Sequence, residues 1–235
     1  MLQYLPVKAK ILEIFRSVQG EGKYAGVMQV FVRFFECNMH CVWCDTPASI
    51  GDTTRHYKEI TLKNLVRQIK DLRAGCHSVS LTGGEPLLQA GFIKELLPHL
   101  KKMKLPAHLE TNGIYAKELA GIIHDVDVVA MDIKLPSSTK EKAYWKEHAD
   151  FLKVALKKDT FIKTVISSDT DKKDIVKAVT LVKKIAPDAL FILQPNTYEL
   201  RNGVMKKCFD FQDYCVKHLP NVRIMPQAHK LMKIP

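Results

Sequence analysis

No apolar run of 18 residues occurs anywhere in the 235-residue chain, which excludes a membrane-spanning helix. The opening stretch MLQYLPVKAK lacks the apolar core of a secretory signal, so the chain is expected in the cytoplasm. There is no low-complexity segment and no linker of biased composition. With 46% hydrophobic residues the chain can bury one sizeable core, and residues 1–235 are expected to form a single domain. No cluster of basic residues interleaved with aromatic ones appears, as it does where single-stranded nucleic acid binds. The formal charge of +11 could still serve nucleic acid. It fits better a solvated lysine surface, scattered through KKMK, KKDTFIK, DKKD and VKK, or a field that favours an anionic small substrate. Neither a membrane nor direct nucleic-acid contact is therefore expected. Six cysteines in such a chain argue against a disulfide framework and for metal or redox chemistry.

The remaining scarcity is local. The stretch ECNMHCVWCDT (36–46) places Cys37, Cys41 and Cys44 in a C-x3-C-x2-C array with no fourth cysteine beside it. Cys76, Cys208 and Cys215 sit in helix-like or strand-like contexts and read as small apolar residues. Thiolates select zinc, copper or iron–sulfur clusters. Three of them can grip three corners of a [4Fe-4S] cube and leave the fourth iron open to a small molecule. A zinc site completed by His40 or by a distant residue satisfies the same spacing.

From residue 27 onward strand and helix patterns alternate. Strands are expected at 27–35, 77–82, 106–111, 126–134, 160–167 and 189–195, with an added edge strand at 9–15. Helical spacing marks 61–72, with Thr61 as N-cap, and 92–103, where Pro98 is expected to impose a kink. Further helical segments lie near 115–123, 172–185 and 204–218. Repeated strand–helix units imply parallel strands with right-handed crossovers, in either a partial barrel or a doubly wound sheet. The polar and glycine-rich motifs all follow strands: the cysteine loop, TGGEP (82–86), ETNG (110–113), DIKLP (132–136) and QPNT (194–197). Ligands bind at the carboxyl ends of parallel strands, so these motifs are expected to converge on one pocket. Two glycines after a strand also let backbone approach a ligand closely.

The cysteine array with Trp43 before its last member, followed one strand later by GGEP, resembles the radical S-adenosylmethionine (SAM) superfamily. The segment IFRSVQGEGKYAGVMQVFVRFFECNMHCVWCDT (14–46) and the tail PQAHKLMKIP (226–235) are similar to the 7-carboxy-7-deazaguanine synthase family within it. The resemblance covers nearly the whole chain. It implies an α/β fold of the partial (β/α)6, TIM-like radical SAM type with an N-terminal edge-strand extension. It implies a carbon–nitrogen lyase that converts 6-carboxy-5,6,7,8-tetrahydropterin to 7-carboxy-7-deazaguanine and ammonia, on the route to queuosine in tRNA. In that family a reduced cluster passes an electron to SAM, and the resulting 5′-deoxyadenosyl radical abstracts a hydrogen atom. The implied cofactors are a [4Fe-4S] cluster, SAM and Mg2+. The implied partners are an external electron donor such as flavodoxin or ferredoxin and a second copy in a homodimer.

Carried over by motif, Cys37, Cys41 and Cys44 hold the cluster and Thr46 places its hydroxyl on Mg2+. Val18, Gln19, Gly20, Arg33, Thr82 and the carboxyl end at Pro235 bind substrate. Trp43, Gly84, the run Asp132, Ile133 and Lys134, and the run Gln194, Pro195, Asn196 and Thr197 bind SAM. On pattern alone Arg33 could equally face outward from its strand, Thr46 could be a helix N-cap, and Gly20 and Gly22 could form a plain turn. Glu110 and Asn112 could line the pocket, with roles left open. One departure is Glu36, where the family has glycine before the first cysteine. If that position needs positive φ, glutamate costs about 1 kcal/mol or more, and a slightly altered loop that keeps the cluster is expected. Another radical SAM enzyme, such as a glycyl-radical activase, would share the cysteine loop and GGEP but not SVQGEG or the tail. A basic zinc-binding nucleic-acid module is the reading from a different class.

Overall fold

The computed structural model describes residues 7–51 and 56–234. Nine strands form one open sheet. They are β1 (Lys8–Val18), β2 (Met28–Phe34), β3 (Lys58–Thr61), β4 (Ser78–Gly83), β5 (Ala107–Thr111), β6 (Val128–Asp132), β7 (Asp159–Ile166), β8 (Phe191–Pro195) and β9 (Val222–Ile224). Their order is β3-β1-β2-β4-β5-β6-β7-β8-β9. From β2 to β9 every neighbouring pair is parallel, whereas β1 runs antiparallel to both β2 and β3. The parallel strands follow chain order without a reversal. A doubly wound sheet requires such a reversal at its switch point, so the topology is that of a partial barrel. The N-terminal strand is an extension as expected, but β3 pairs outside it, and β1 is not the edge.

The helices are α1 (Leu62–Leu72), α2 (Ala90–Lys102), α3 (Ala116–Ala120), α4 (Pro136–Thr139), α5 (Trp145–Ala155), α6 (Lys172–Ile185), α7 (Val204–Cys215) and α8 (Ala228–Met232). Thr61 caps α1 by accepting a hydrogen bond from Asn64 N. Helix α2 continues through Pro98 to Lys102. Helix α5 was not anticipated, although Trp145, His148, Phe151, Leu152 and Ala155 carry its apolar spacing, and the last four are buried. The helical segment near 115–123 is two short pieces, α3 and a 3-10 turn at Ile123–Asp125.

Strand periodicity positions the site. Val30, Val32, Phe34, Leu81, Leu109, Val129, Met131, Ile162, Ile166 and Leu193 belong to the main core. The alternate residues point the other way. Near the amino ends they are apolar, where Val128, Ala130, Phe161, Leu190 and Ile192 form a second small core. Towards the carboxyl ends they become polar: Arg33, Thr82, Glu110, Asp132, Lys163 and Gln194. A period of 2 along each strand thus separates a packed face from a chemical one.

Candidate active site

One cavity at the carboxyl ends of the parallel strands is lined by the five motifs together. It gathers Val18, Gln19, Gly20, Arg33, Cys37, Cys41, Trp43, Cys44, Thr46, Thr82, Gly84, Asp132, Lys134, Gln194, Pro195 and Asn196. Two expected residues do not line it. Ile133 lies in the main core and donates its N–H to Lys163 O, and Thr197 turns its hydroxyl to Gln227 Oε1 at 2.6 Å. Pro235 lies outside the described residues.

The cysteine loop leaves β2 through Glu36, whose φ is 80°. The position is left-handed, so the condition on which glutamate costs backbone energy is met. Glu36 carries the backbone cost, and its carboxylate pairs with Lys10 Nζ at 2.6 Å. The loop is tied by Cys37 N to Ile50 O, Cys44 N to Cys41 O, and Val42 N to Thr139 O. Trp43 Nε1 donates to Ser138 Oγ at 2.9 Å. Burial pushes all three thiols up, Cys37 to about 12. Protonated thiols are poor ligands, and a bound metal centre reverses that preference.

The donor set fits a cluster better than zinc. Zinc–sulfur bonds of about 2.3 Å bring tetrahedral thiolates within roughly 3.8 Å of one another. Among the described residues, the only group of three or more His, Cys, Asp or Glu ligand atoms mutually within 4.8 Å is Glu21, Asp45 and His229, so the three cysteines are spread more widely. His40 does not line the cavity, and its backbone N–H donates to Glu141. Cys208 and Cys215 are buried on α7, and Cys76 contacts Leu72 O.

The paired glycines of TGGEP do something other than open a path to a ligand. A Cβ on Gly83 would lie 2.2 Å from Phe34 O, and one on Gly84 would lie 2.2 Å from Glu36 O. Both contacts are protein backbone. The glycines let the end of β4 press against the start of the cysteine loop, where Gly84 N donates to Phe34 O and Glu85 N to Glu36 O. Glu85 is fully buried, and burial raises its carboxyl to about 7, partly offset by hydrogen bonds from Asn112 N, Leu87 N and Thr111 Oγ1.

Three buried acceptors in the cavity wall have no partner: Asn112 Oδ1, Asp132 Oδ1 and Gln194 Oε1. Orphaned acceptors call for a donor-rich ligand. The amino and hydroxyl groups of SAM meet that need.

Arg33 faces the cavity rather than solvent. Its Nε donates to Glu13 at 2.6 Å, and its other arm reaches Thr46 Oγ1 at 3.4 Å. Thr46 precedes a 3-10 turn without capping it by its side chain, so its hydroxyl is turned to Arg33 and Asp45 instead. Gln19 is more committed than expected. Its Nε2 donates to both Gln29 Oε1 and Glu110 Oε1, and its Oε1 accepts from Glu21 N. Both amide protons are therefore spent within the protein.

Several cavity residues were not anticipated. Glu21, Asp45, Lys163, Gln227 and His229 all line it. Lys163 Nζ bonds closely to Glu21 and lies 3.7 Å from Asp132. Burial opposes the charge on Glu21, yet the adjoining ammonium holds its carboxyl down at about 2. Gln227 Nε2 donates to Glu21 at 2.6 Å and to Asp45 at 2.9 Å, and Ala228 N donates to Gly20 O at 2.8 Å. The C-terminal segment thereby closes one side of the cavity. Lys163 could have been recognised as a charge in the middle of a strand, flanked by Phe161, Ile162, Val165 and Ile166; Gln227 carries no such signal.

A sequence profile of the radical SAM superfamily matches residues 32–188. The 7-carboxy-7-deazaguanine synthase of Geobacter sulfurreducens is 35% identical over 243 residues, covering 95% of this chain and 97% of that protein. The enzyme of the same name from Archaeoglobus fulgidus is 32% identical, covering 97% and 100%. The crystal structure of QueE from Escherichia coli superposes with a TM-score of 0.66 at 21% identity over 94% of this chain, which shows a common fold.

Proposed function

Because the chain belongs to the radical SAM superfamily and, within it, to the 7-carboxy-7-deazaguanine synthases, we propose the following residue roles in converting 6-carboxy-5,6,7,8-tetrahydropterin to 7-carboxy-7-deazaguanine and ammonia. The observation that carries the assignment is the convergence of the cysteine loop, TGGEP, ETNG, DIK and QPNT on one cavity. When bound, the reduced cluster and SAM supply the one-electron chemistry that takes a hydrogen atom from the substrate. Everything else is binding, orientation and exclusion of water by this chain.

Cys37, Cys41 and Cys44 hold the cluster. Asp132, Gln194 and Asn112 accept hydrogen bonds from SAM through their unpartnered oxygens. Gly84 contributes its carbonyl, since its N–H is given to Phe34 O. Arg33 presents a planar fork to the substrate carboxylate. Thr46, beside it, would offer its hydroxyl to Mg2+, which would help to bind the substrate carboxylate. Val18, Gly20 and Thr82 line the substrate side of the cavity, where Gln19 acts chiefly by holding Glu110 and the backbone of Glu21 in place. Glu21 and Glu110 face the cavity as acceptors suited to the N–H donors of a pterin ring.

Residues 1–235 act as one domain, and the working enzyme is a homodimer reduced by an external donor such as flavodoxin or ferredoxin, in the cytoplasm. No described helix is long and apolar enough to cross a membrane. The test is anaerobic incubation of cluster-loaded protein with SAM, dithionite, Mg2+ and 6-carboxy-5,6,7,8-tetrahydropterin. A product with the mass of 7-carboxy-7-deazaguanine, absent without SAM, is expected; cleavage of SAM with no product from this pterin would refute the assignment.

A further inference from the structure

Lys134 follows β6 at the carboxyl end of the sheet, and its place is fixed from three sides. Its backbone N–H donates to His148 Nε2 at 3.2 Å. His148 is buried, and its other ring nitrogen, Nδ1, contacts Gly113 O at 3.0 Å. The carbonyl can only accept, so the proton is on Nδ1, and both ring nitrogens serve to lock the backbone of DIK to that of ETNG. The ammonium is clamped separately. Asp132 Oδ2 takes a hydrogen bond from Nζ at 2.8 Å, and the Trp43 ring lies beneath Nζ at 4.9 Å from its centroid. Trp43 stands between Cys41 and Cys44 in the chain and is itself anchored through Ser138 Oγ, which donates to Val165 O. The side chain of Lys134 is 14% exposed, and it lines the same cavity as all three cysteines.

A fixed, poorly solvated cation beside a cluster acts on the cluster whether or not SAM is present. Reduction adds one negative charge to the iron–sulfur core, and net charge around a cluster is among the factors that set its potential. Two groups of opposite sign compete at this point, Lys134 and its partner Asp132. Both line the cavity, but the ammonium is the one seated on the tryptophan of the cluster loop.

Resting on the reading of Cys37, Cys41 and Cys44 as cluster ligands, we propose that Lys134 is a potential-setting residue, a cation clamped between Asp132 and Trp43 that raises the reduction potential of the cluster independently of SAM. The assignment goes beyond a contact with SAM, because a group that acted only through SAM would leave the SAM-free cluster unaltered. It also gives Trp43 a role: the ring holds the ammonium against the loop by a cation–π contact.

The experiment is a redox titration of the anaerobically reconstituted protein with dithionite as the one-electron donor, followed by the electron paramagnetic resonance signal of the reduced cluster, without SAM and then with it. Failure of the parent protein to take up iron and sulfide would sink the cluster reading itself, before the potential is in question. With a cluster in place, Lys134→Met is expected to shift the SAM-free potential negative by about 59 mV or more, which is tenfold in the reduction equilibrium. Lys134→Arg, which keeps the charge, should stay near the parent value. Lys134→Met leaves buried Asp132 with only the more distant Lys163, 3.7 Å away, and could fail to fold, so Asp132→Asn provides a second arm. That variant leaves the ammonium uncompensated, and its SAM-free potential should move positive. A Lys134→Met potential equal to the parent's without SAM, or an Asp132→Asn potential that is unmoved or more negative, would overturn the proposal.

Discussion

Replacing Gly84 with alanine tests how the end of β4 and the cysteine loop fit together. The new methyl carbon would lie 2.2 Å from Glu36 O, 2.6 Å from Glu36 C and 2.7 Å from Ser49 O. A comfortable carbon–oxygen contact is about 3.3–3.6 Å, so the two backbones must part by roughly 1 Å. No flexible side chain can give way. The separation breaks the hydrogen bond from Glu85 N to Glu36 O, which is 2.8 Å long. Overpacking costs about 1–3 kcal/mol, and an unmade buried hydrogen bond adds about 1–3 kcal/mol. The sum of about 2–6 kcal/mol is a large share of a typical stability of about 5–15 kcal/mol. For a chain of this size that is a fall in melting temperature of roughly 5–20 °C, together with poor cluster uptake, because Glu36 immediately precedes Cys37. Gly91→Ala is the matched control: no atom lies within 4 Å of its built Cβ, it sits near the start of α2, and alanine there should leave stability equal or raise it by up to about 1 kcal/mol. The assays are thermal unfolding of the cluster-free protein and iron and sulfide analysis after reconstitution. A Gly84→Ala protein that melts with the Gly91→Ala protein and binds a full cluster would refute this packing.

Glu36→Gly should be nearly neutral. It relieves about 1–2 kcal/mol of left-handed strain, but loses up to about 1 kcal/mol of a half-exposed ion pair and about 0.4–1 kcal/mol through the freer unfolded chain; a chemical denaturation midpoint well below the parent's would show that the pair with Lys10 contributes far more. Thr46→Ala should lower turnover and blunt the response to added Mg2+ while SAM cleavage without substrate persists, and an unchanged Mg2+ titration would remove Thr46 as a ligand. Glu21 is held at about 2 in the folded chain against about 4.3 in an unfolded one. Its contribution is therefore complete above about pH 5 and lost as pH falls towards 2, on the order of 3 kcal/mol. Glu21→Gln should flatten acid unfolding across that window, and an acid transition identical to the parent's would contradict the pairing with Lys163.

The parallel core and the place of the site were legible because both follow from period and punctuation. β-branched and aromatic runs ended in glycine or polar motifs at the same end each time, and the structure puts Arg33, Thr82, Asp132 and Gln194 in one wall. The particular side-chain bonds by which distant segments meet were not legible. Gln227 bridges Glu21 and Asp45 across separations of 206 and 182 residues, and nothing local in PQAHK announces it. The TGGEP glycines were visible as glycines, but only the packed structure shows that their missing side chains face Phe34 and Glu36 rather than a ligand. At Glu36 the sequence raised the right question, the cost of positive φ, while only the fold shows that φ is positive there. Gln19 was expected to serve the ligand, and its amide instead satisfies buried neighbours that no linear pattern reveals.

The central claim is that three thiolates, without a fourth, hold an iron–sulfur cluster in this cavity. Iron and sulfide per chain, measured after anaerobic reconstitution across the six single cysteine-to-alanine variants, test it most directly. Cys37→Ala, Cys41→Ala and Cys44→Ala are expected to lose the [4Fe-4S] cluster, and Cys76→Ala, Cys208→Ala and Cys215→Ala to keep it. A parent protein that carries zinc instead, or a cluster that is lost from a folded Cys76, Cys208 or Cys215 variant, would contradict the assignment.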